Sequence, residues 1–506
     1  MEQVGKVWLA GAGPGDAGLL TVKTKALMEQ ADVVIYDALI STEILSMIPV
    51  NTKKINVGKR ASHHLVPQEE INQIILEEAL LGNNVLRLKG GDPFIFGRGG
   101  EELELLVQAE IPFEIVPGIT SVTAVPAYAG IPITHRDYTS SFYVVTGHPR
   151  EGKESTIHYE TLVHMDATLI FLMGVSSMNI ICEQLIEAGM DPLTPAAVLE
   201  NGTMAKQRKV VSTVANLVVD TEKEKIHTPA IIVVGKVCGL SKAFQWTQNR
   251  PLNGRQILLT RPKHLVSELA IRLRNLGAQV IELPSIVIKA LPNKANFEKA
   301  ISDIQGLKEV WIVYTSPTGV AVFFENLMDM KWDIRSLLSQ TKIHIGVIGS
   351  ATEKALKKHL IFPDLMPENY SAEQLGRALA QEVKQKVPVF IFRAEEGSVL
   401  LTPPLDEQGI PWVDVSLYQT IAKADETLKE SLMKQLIQGE IDWVTFTSAS
   451  TVRGFMDTFD GMDVSCIHAI CIGEQTAKEA QKHGIKVTIS KEATMDSMIG
   501  SMLEQE

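Results

Sequence analysis

The sequence predicts an α/β protein of several sheets, on three observations. Short apolar runs alternate with 3.6-periodic stretches almost throughout; two glycine-rich loops follow apolar runs in the first hundred residues; and the second half of the chain repeats itself. The runs are Val7–Ala10, Val33–Tyr36, Val85–Leu88, Tyr143–Thr146, Leu169–Leu172 and Ala230–Val234. Stretches such as Gln68–Leu81 and Glu101–Ala109 carry helical spacing between them. Strands separated in this way favour largely parallel sheets.

A chain of 506 residues is too long for one ordinary domain. Around Lys242–Gly254 the pattern gives way to polar residues with Pro and Gly, which reads as a linker, and a fresh strand, Gln256–Leu259, follows directly. Beyond it, Ile257–Arg261 resembles Val389–Arg393, and Trp311–Ser316 resembles Trp443–Ser448, both at an offset of 132 residues (393 less 261, 443 less 311). Ile345–Gly349 resembles Ile470–Gly473, and Tyr370–Glu373 resembles the segment near Thr494. Two similar α/β units therefore follow the linker. Thr-Ser ends a strand in both, where open α/β sheets bind ligands; capping of the next helix is the alternative reading.

Hydrophobic residues at 45% and charged residues at 21% suit a protein with ample core. No apolar run approaches the roughly 18 residues of a membrane span, and the amino terminus enters its first strand at once, so a cytoplasmic protein without membrane or signal segment is expected. Cys182, Cys238, Cys466 and Cys471 form no Cys-x-x-Cys pair and have no nearby histidine at metal spacing; they read as small buried hydrophobes, and no metal is expected. The net charge of -12 argues against nonspecific nucleic-acid binding, though not against a polyanionic small substrate met by a few cleft arginines.

The first loop, Gly11-Ala-Gly-Pro-Gly-Asp16, fails the dinucleotide template, because Asp16 stands at the third glycine position and Pro14 fixes φ inside the loop. The second, Lys89-Gly-Gly-Asp-Pro-Phe-Ile-Phe-Gly-Arg-Gly-Gly-Glu-Glu102, adds Asp92. Two acids would repel a pyrophosphate, and no Walker-type Gly-Lys-Ser/Thr follows. A phosphate-free, positively charged cofactor fits, and S-adenosyl-L-methionine is one.

GAGPGD at 11–16, ADVVIYDALIS at 31–41, GK at 58–59, RLKGGDPFIFGRGGEE at 87–102, VPGITS at 116–121, GIPITHRDY at 130–138, FLMG at 171–174, NGT at 201–203 and TPAIIVVGKV at 228–237 stand in order. Together they resemble the uroporphyrinogen-III C-methyltransferases of the tetrapyrrole methylase family. The resemblance implies a methylase fold over 1–241, with subdomains of about 1–117 and 118–241. Pro14, Gly90, Gly91, Asp92, Ile95, Thr120, Ser121, Met173, Gly202 and Ala230 would line the S-adenosyl-L-methionine site, Asp92 accepting from its polar end. It further implies Asp37 as proton acceptor, Lys59 as donor, and Arg98, Glu101 and Arg136 as substrate contacts. From local sequence alone Asp37 reads equally as a helix N-cap, Lys59 as a surface lysine, and His63 and His64 as an exposed loop.

ILLTRP at 257–262, VYTSPTGV at 313–320, PENYSAEQL at 367–375, LYQT at 417–420, FTSASTV at 446–452 and IGEQTAKEA at 472–480 resemble the uroporphyrinogen-III synthases. The resemblance implies a two-lobed flavodoxin-like fold over 255–506, lobe one about 255–289 plus 419–506 and lobe two about 290–418. Tyr418, expected at a strand end, would hydrogen-bond the leaving hydroxyl. Thr315, Ser316, Ser350, Thr447, Ser448 and Thr476 would meet substrate carboxylates, with Arg261 and Arg393 either adding charge or serving structure. Hydroxymethylbilane and uroporphyrinogen III are then the small-molecule partners, a homodimer through the methyltransferase domain is implied, and each half is expected to work independently. A later precorrin methyltransferase or diphthine synthase for the first half, and a non-catalytic ligand sensor for the second, are the competing readings. An oxidoreductase fits least, given the broken glycine fingerprint.

Overall fold

The computed structural model describes residues 4–58, 66–147, 157–260, 263–283, 286–291, 294–335, 341–384, 386–422 and 426–505. It holds four five-stranded sheets. No helix among the described residues is long and apolar enough to cross a membrane. Lys59, His63, His64 and Arg261 lie outside the described residues.

The first sheet runs, edge to edge, Lys53–Asn56, Val33–Tyr36, Val85–Lys89, Val7–Gly11 and Phe113–Val116, all parallel. Its three central strands are buried along their whole length, as expected where helices cover both faces. Helix Gln68–Leu80 and helix Gly99–Gln108 lie together on one of those faces, over Val7, Val33, Ile35 and Val85. The order puts the ends of Val7–Gly11 and Val85–Lys89 side by side, so both glycine loops leave one edge of the sheet together.

The second sheet departs from the parallel expectation. Its order is Ser141–Thr146, Ala167–Leu172, Ala230–Val234, Pro195–Glu200 and Arg208–Thr213, and only the first pair is parallel. The loop 201–207 is too short for a crossover helix, so Pro195–Glu200 and Arg208–Thr213 must return antiparallel.

Beyond residue 255 the duplication is visible as two sheets. One is Gln279–Glu282, Gln256–Leu259, Trp443–Phe446, His468–Cys471 and Lys486–Ile489, all parallel. The other is Ile286–Ala290, Trp412–Ala422, Val389–Ala394, Glu309–Tyr314 and Lys342–Val347, parallel except for its first pair. Ser371 and Thr494, which the repeat places together, both cap helices, accepting from the amides of Gln374 and Ser497. Compact packing divides the chain into residues 1–283, 425–447 and 461–506 on the one hand and 284–424 and 448–460 on the other.

The first pair of the last sheet follows from the repeat. Ile286 lies opposite Ala422 and Ala290 opposite Tyr418. Shifting by 132 carries 286 onto 418 and 290 onto 422, so the two strands are equivalent segments of the two copies. The pair Ile288–Thr420 is the point where each copy meets its own counterpart. An antiparallel pair of like segments is self-complementary in the way a two-fold interface is.

One expectation needs correction here, that all four cysteines are buried, and two other segments gain a definite setting. The linker is a packed strap: the Trp246 indole N–H donates to Ala127 O at 2.9 Å, its ring meets Tyr128 edge-on at 5.1 Å, and Leu252 is fully buried. Cys182, Cys238 and Cys471 are buried, but Cys466 is exposed because a turn before strand His468–Cys471 carries it outward. Arg393 is a buried structural cation, its guanidinium on Asp414 (2.5 and 3.0 Å) and on Ser398 O at 2.7 Å.

The short helix Thr42–Ser46, just after the strand carrying Asp37, is buried at every position. It docks on elements from the carboxyl-terminal half: Arg274 Nε donates to Glu43 Oε1 at 2.7 Å, Gln435 donates to Thr42 at 2.8 Å, and the Glu282 amide donates to Ser46 at 3.3 Å. Burial pushes the Glu43 carboxyl up to about 7, against the pull of Arg274. The folded state thus keeps a proton that the unfolded chain sheds near the ordinary glutamate value of 4.5, so stability falls as pH rises to about 7 and levels off above it. Chemical denaturation of the wild type and Glu43→Gln at pH 5, 6, 7 and 8 is expected to show a wild-type stability that declines relative to the variant by up to about 1.4 kcal/mol per pH unit below pH 7. Parallel curves would refute the burial argument.

Candidate active site

Three loops meet where the first sheet ends. Gly11, Gly91 and Gly118 approach so closely that a Cβ on Gly118 would lie 2.2 Å from Gly91 O and 2.6 Å from Gly11 Cα. Gly13 and Gly91 exchange amide hydrogen bonds at 3.2 and 2.8 Å, with Gly91 at φ +67°. Only glycine permits this contact. Asp92 fastens the third loop, one carboxylate oxygen accepting from Gly118 N at 3.0 Å and the other from Phe94 N at 2.8 Å. The expected acceptor for a cofactor's polar end is therefore first a clamp on the loops. Asp16, the residue that breaks the dinucleotide pattern, caps a turn through Gly18 N and accepts from Tyr128 OH at 2.7 Å.

The loops wall a cavity of about 560 Å³. All ten residues expected at the cofactor site line it: Pro14, Gly90, Gly91, Asp92, Ile95, Thr120, Ser121, Met173, Gly202 and Ala230. Asp37 and Arg98 line it as well. Apolar wall comes from Leu39, Val125, Leu172, Leu199 and Ile231. Met173 holds φ +56° at the end of strand Ala167–Leu172, which turns its side chain out of the sheet, and it is 52% exposed. Thr120 caps helix Ser121–Tyr128, whose first-turn amides make the cavity wall favourable to negative charge.

Beneath the cavity lies a charge cluster that the sequence reading did not single out. Arg87 and Lys89 share one face of strand Val85–Lys89, two residues apart, and both are buried. Glu102 Oε1 accepts from Lys89 Nζ at 2.6 Å and from Arg87 at 3.1 and 3.2 Å, and Gln68 adds a third donor at 3.2 Å. Arg87 Nη2 also reaches Asp37 Oδ1 at 2.6 Å. Burial, then the charge of Arg87, push the Lys89 amine down, and Glu102 opposes them. The signal was present as alternating cations inside an apolar run ending in glycines.

Asp37 is not a helix cap. Ser41 caps helix Thr42–Ser46, and Asp37 ends its strand with its carboxylate on Arg87 and 28% of its side chain exposed. Arg98, at φ +58°, pairs with Glu101 at 2.9 Å on the exposed side of helix Gly99–Gln108, and Glu101 is not part of the cavity wall. Arg136 is exposed on the turn closed by His135 and Thr139, also away from that wall.

In the second half, Tyr418 lies inside the long strand Trp412–Ala422 rather than at its end, because the strand leaves Val389–Ala394 there and continues against Ile286–Ala290. The register shifts at this point. Tyr418 is buried, and its hydroxyl is 2.9 Å from Ser316 Oγ. Burial pushes the phenol up, with Ser316 pulling slightly back. Ser316 and Ser448 cap helices Pro317–Asp329 and Ala449–Thr458, accepting from Gly319 N at 2.9 Å and Thr451 N at 3.3 Å. Thr315 and Thr447 are half-buried at their strand ends. Ser350 opens helix Ser350–Lys357, and Thr476 is buried in the first turn of helix Glu474–Lys482.

Glu102→Ala would leave Arg87 and Lys89 buried without their shared counter-charge. A loss of about 3–5 kcal/mol is expected by chemical denaturation, against a smaller loss for Glu102→Gln. Equal small losses for both would mean that the cluster is solvated.

Comparison with known proteins bears on both halves. The family model described as Tetrapyrrole (Corrin/Porphyrin) Methylases matches residues 6–218, and that described as Uroporphyrinogen-III synthase HemD matches residues 267–500. Porphyrin biosynthesis protein HemD of Ruminiclostridium josui is 44% identical over 501 residues, 99% of this chain and 98% of that one. Uroporphyrinogen-III C-methyltransferase of Bacillus subtilis is 36% identical over 76% of this chain and 77% of its own length. The Siroheme synthase of Saccharophagus degradans is 48% identical, and the match spans 49% of this chain and 54% of that protein. Among solved structures, Uroporphyrin-III C-methyl transferase from Thermus thermophilus complexed with S-adenyl homocysteine is 36% identical, with a TM-score of 0.40 over 46% of this chain and 93% of that one. A Thermus thermophilus uroporphyrinogen III synthase is 16% identical, with a TM-score of 0.36 over 50% of this chain and 100% of that one. With both models matched in tandem and a relative aligned end to end, the chain belongs to the fused proteins of porphyrin biosynthesis, a tetrapyrrole methylase of the uroporphyrinogen-III C-methyltransferase kind followed by a uroporphyrinogen-III synthase.

Proposed function

We propose that the chain takes hydroxymethylbilane to precorrin-2. The carboxyl-terminal half closes the ring with inversion of the last pyrrole, and the amino-terminal half methylates the product twice. The observation that carries the first half of this reading is the cavity at the three glycine loops. It has apolar walls for an adenine and a capped helix terminus for a carboxylate, and the lysine that lines it, Lys89, is already engaged by Glu102. Those features fit S-adenosyl-L-methionine, held by the ten residues Pro14 to Ala230 that line it. When bound, this donor supplies an electrophilic methyl on a sulfonium.

The chain's own residues then have three tasks. Arg98 at the cavity rim, held by Glu101, offers its guanidinium to a substrate carboxylate. The glycine contact fixes the loops so that donor and pyrrole carbon align with little motion. Asp37, oriented by Arg87 and still partly open to the cavity, accepts the proton that the methylated carbon loses. Lys59 belongs to the same reading as proton donor, and Glu101 and Arg136 as outer substrate contacts.

In the synthase half, a phenol pushed up by burial stays protonated at working pH and can donate. Ser316 Oγ already accepts from Gly319 N, so its own proton can go to Tyr418 and leave the phenolic proton for the departing hydroxyl. Thr315, Thr447, Ser448 and Thr476 complete the substrate contacts. The domain limits 1–241 and 255–506, a cytoplasmic location and a homodimer through the methyltransferase domain are parts of the same reading.

Purified protein given hydroxymethylbilane and S-adenosyl-L-methionine is expected to yield, after oxidation, type-III isomer carrying two methyls. Type-I isomer without methyls would overturn the reading. Asp37→Asn is expected to lower methylation about 100-fold or more with donor binding retained, and Tyr418→Phe to slow ring closure roughly ten-fold. Full activity of either variant would remove that residue from its role.

A further inference from the structure

We infer that Arg274, in the carboxyl-terminal half, is a positioning residue for methyl transfer in the amino-terminal half. The inference rests on reading the three-loop cavity as the donor site. Its starting point is helix Thr42–Ser46, which is buried at every position although it is only one turn and a half long. A helix so short has no stability of its own and stays where its contacts put it.

At its amino end the helix is tied to the donor loop, because the Ser41 hydroxyl donates to Gly15 O at 2.7 Å. Asp37 precedes Ser41 in the same turn, its carbonyl accepting from Ile40 N at 3.2 Å. Ser46 Oγ donates to Glu43 O within the helix at 2.6 Å, and the helix's other side-chain hydrogen bonds run to the other half of the chain. Thr42 meets Ser431 at 3.0 Å and Gln435 at 2.8 Å, Ser46 accepts from Glu282 N, and Glu43 accepts from Arg274.

Of these contacts the Glu43–Arg274 pair joins two ionisable groups. Glu43 is 2% exposed, so its carboxylate has no access to bulk water as a substitute. Arg274 is fixed from its own side, donating to Val280 O at 3.1 Å and to Glu282 at 3.2 Å. The guanidinium therefore presents a pre-oriented donor, and the helix settles on it. Without Arg274, a buried unpaired carboxylate must move toward solvent or take a proton, and in either case the helix shifts. The shift is passed to Gly15 in the donor loop and to the turn that begins at Asp37.

Full-length wild type, Arg274→Ala, Arg274→Lys and Glu43→Gln are to be compared in three measurements: donor affinity by calorimetry, methylation kinetics with uroporphyrinogen III, and ring closure of hydroxymethylbilane. Arg274→Ala is expected to raise the dissociation constant and KM for S-adenosyl-L-methionine three- to tenfold, with ring closure within twofold of wild type. Arg274→Lys, which keeps the charge but loses the fork, is expected to recover part of the affinity. Unchanged donor affinity in Arg274→Ala overturns the inference, and so does a parallel loss of methylation and ring closure, which would mark a residue that only maintains the fold. Should Arg274→Ala not fold, Glu43→Gln decides: donor KM raised in the same direction supports the inference, and an unchanged KM overturns it. A wild-type protein that binds no donor would instead defeat the assignment of the cavity.

Discussion

The amino-terminal half depends on one carboxylate. A central strand of a covered sheet has no place for a bare cation, yet Val85–Lys89 brings two, and both are buried. Glu102 answers both through a single oxygen. It can do so only because helix Gly99–Gln108 starts immediately after the glycine loop and points its first turn back over the strand end. Loop course and charge compensation are thus one event. Arg87 Nη2, which donates to Glu102, also reaches Asp37, so the residue proposed to take the proton owes its orientation to the interaction that makes the strand tolerable.

The glycine contact works on the same strand end from the other side. With Gly11, Gly91 and Gly118 at backbone contact, three loops behave as one wall, and Asp92 spends both oxygens holding it closed. The cost is that no side chain can be placed there, which leaves main-chain groups and flanking residues to meet a ligand. A wall made in this way suits a ligand recognised by shape, stacking and a few amides rather than by a phosphate cradle.

Much of this was legible in the sequence. The apolar runs gave the three central strands of the first sheet and the edge where two glycine loops meet, while its outer strands, Lys53–Asn56 and Phe113–Val116, were not read; the motif set named every one of the ten residues proposed for the donor site that the cavity gathers. The repeat offset found the paired sheets, whereas the Thr-Ser ends that it favoured as a binding cleft place their serines as helix caps. What escaped was whatever depends on three dimensions rather than on pattern. Arg87, Lys89 and Glu102 sat inside quoted motifs, but nothing local says that a strand cation and a helix acid will share one hydrogen-bond centre. The antiparallel second sheet was hidden because a buried apolar run looks the same in either direction. Tyr418 was placed at a strand end because its partner strand stops there, although its own strand continues.

The duplication also sets Tyr418 apart from its own counterpart. Equivalent segments 286–290 and 418–422 pair about Ile288 and Thr420, so the fold treats the copies alike at this point. The sequence does not: the counterpart of Tyr418 is Ile286. Both copies keep the serine that caps the next helix, Ser316 in one and Ser448 in the other, because capping is a structural need that each copy has. Ser316 meets the Tyr418 hydroxyl at 2.9 Å, whereas Ser448 meets the Ser450 hydroxyl at 2.8 Å. A symmetric frame holding the one phenol proposed as donor would suit a reaction that treats one end of a linear substrate differently from the other. Structure keeps the repeat; chemistry breaks it.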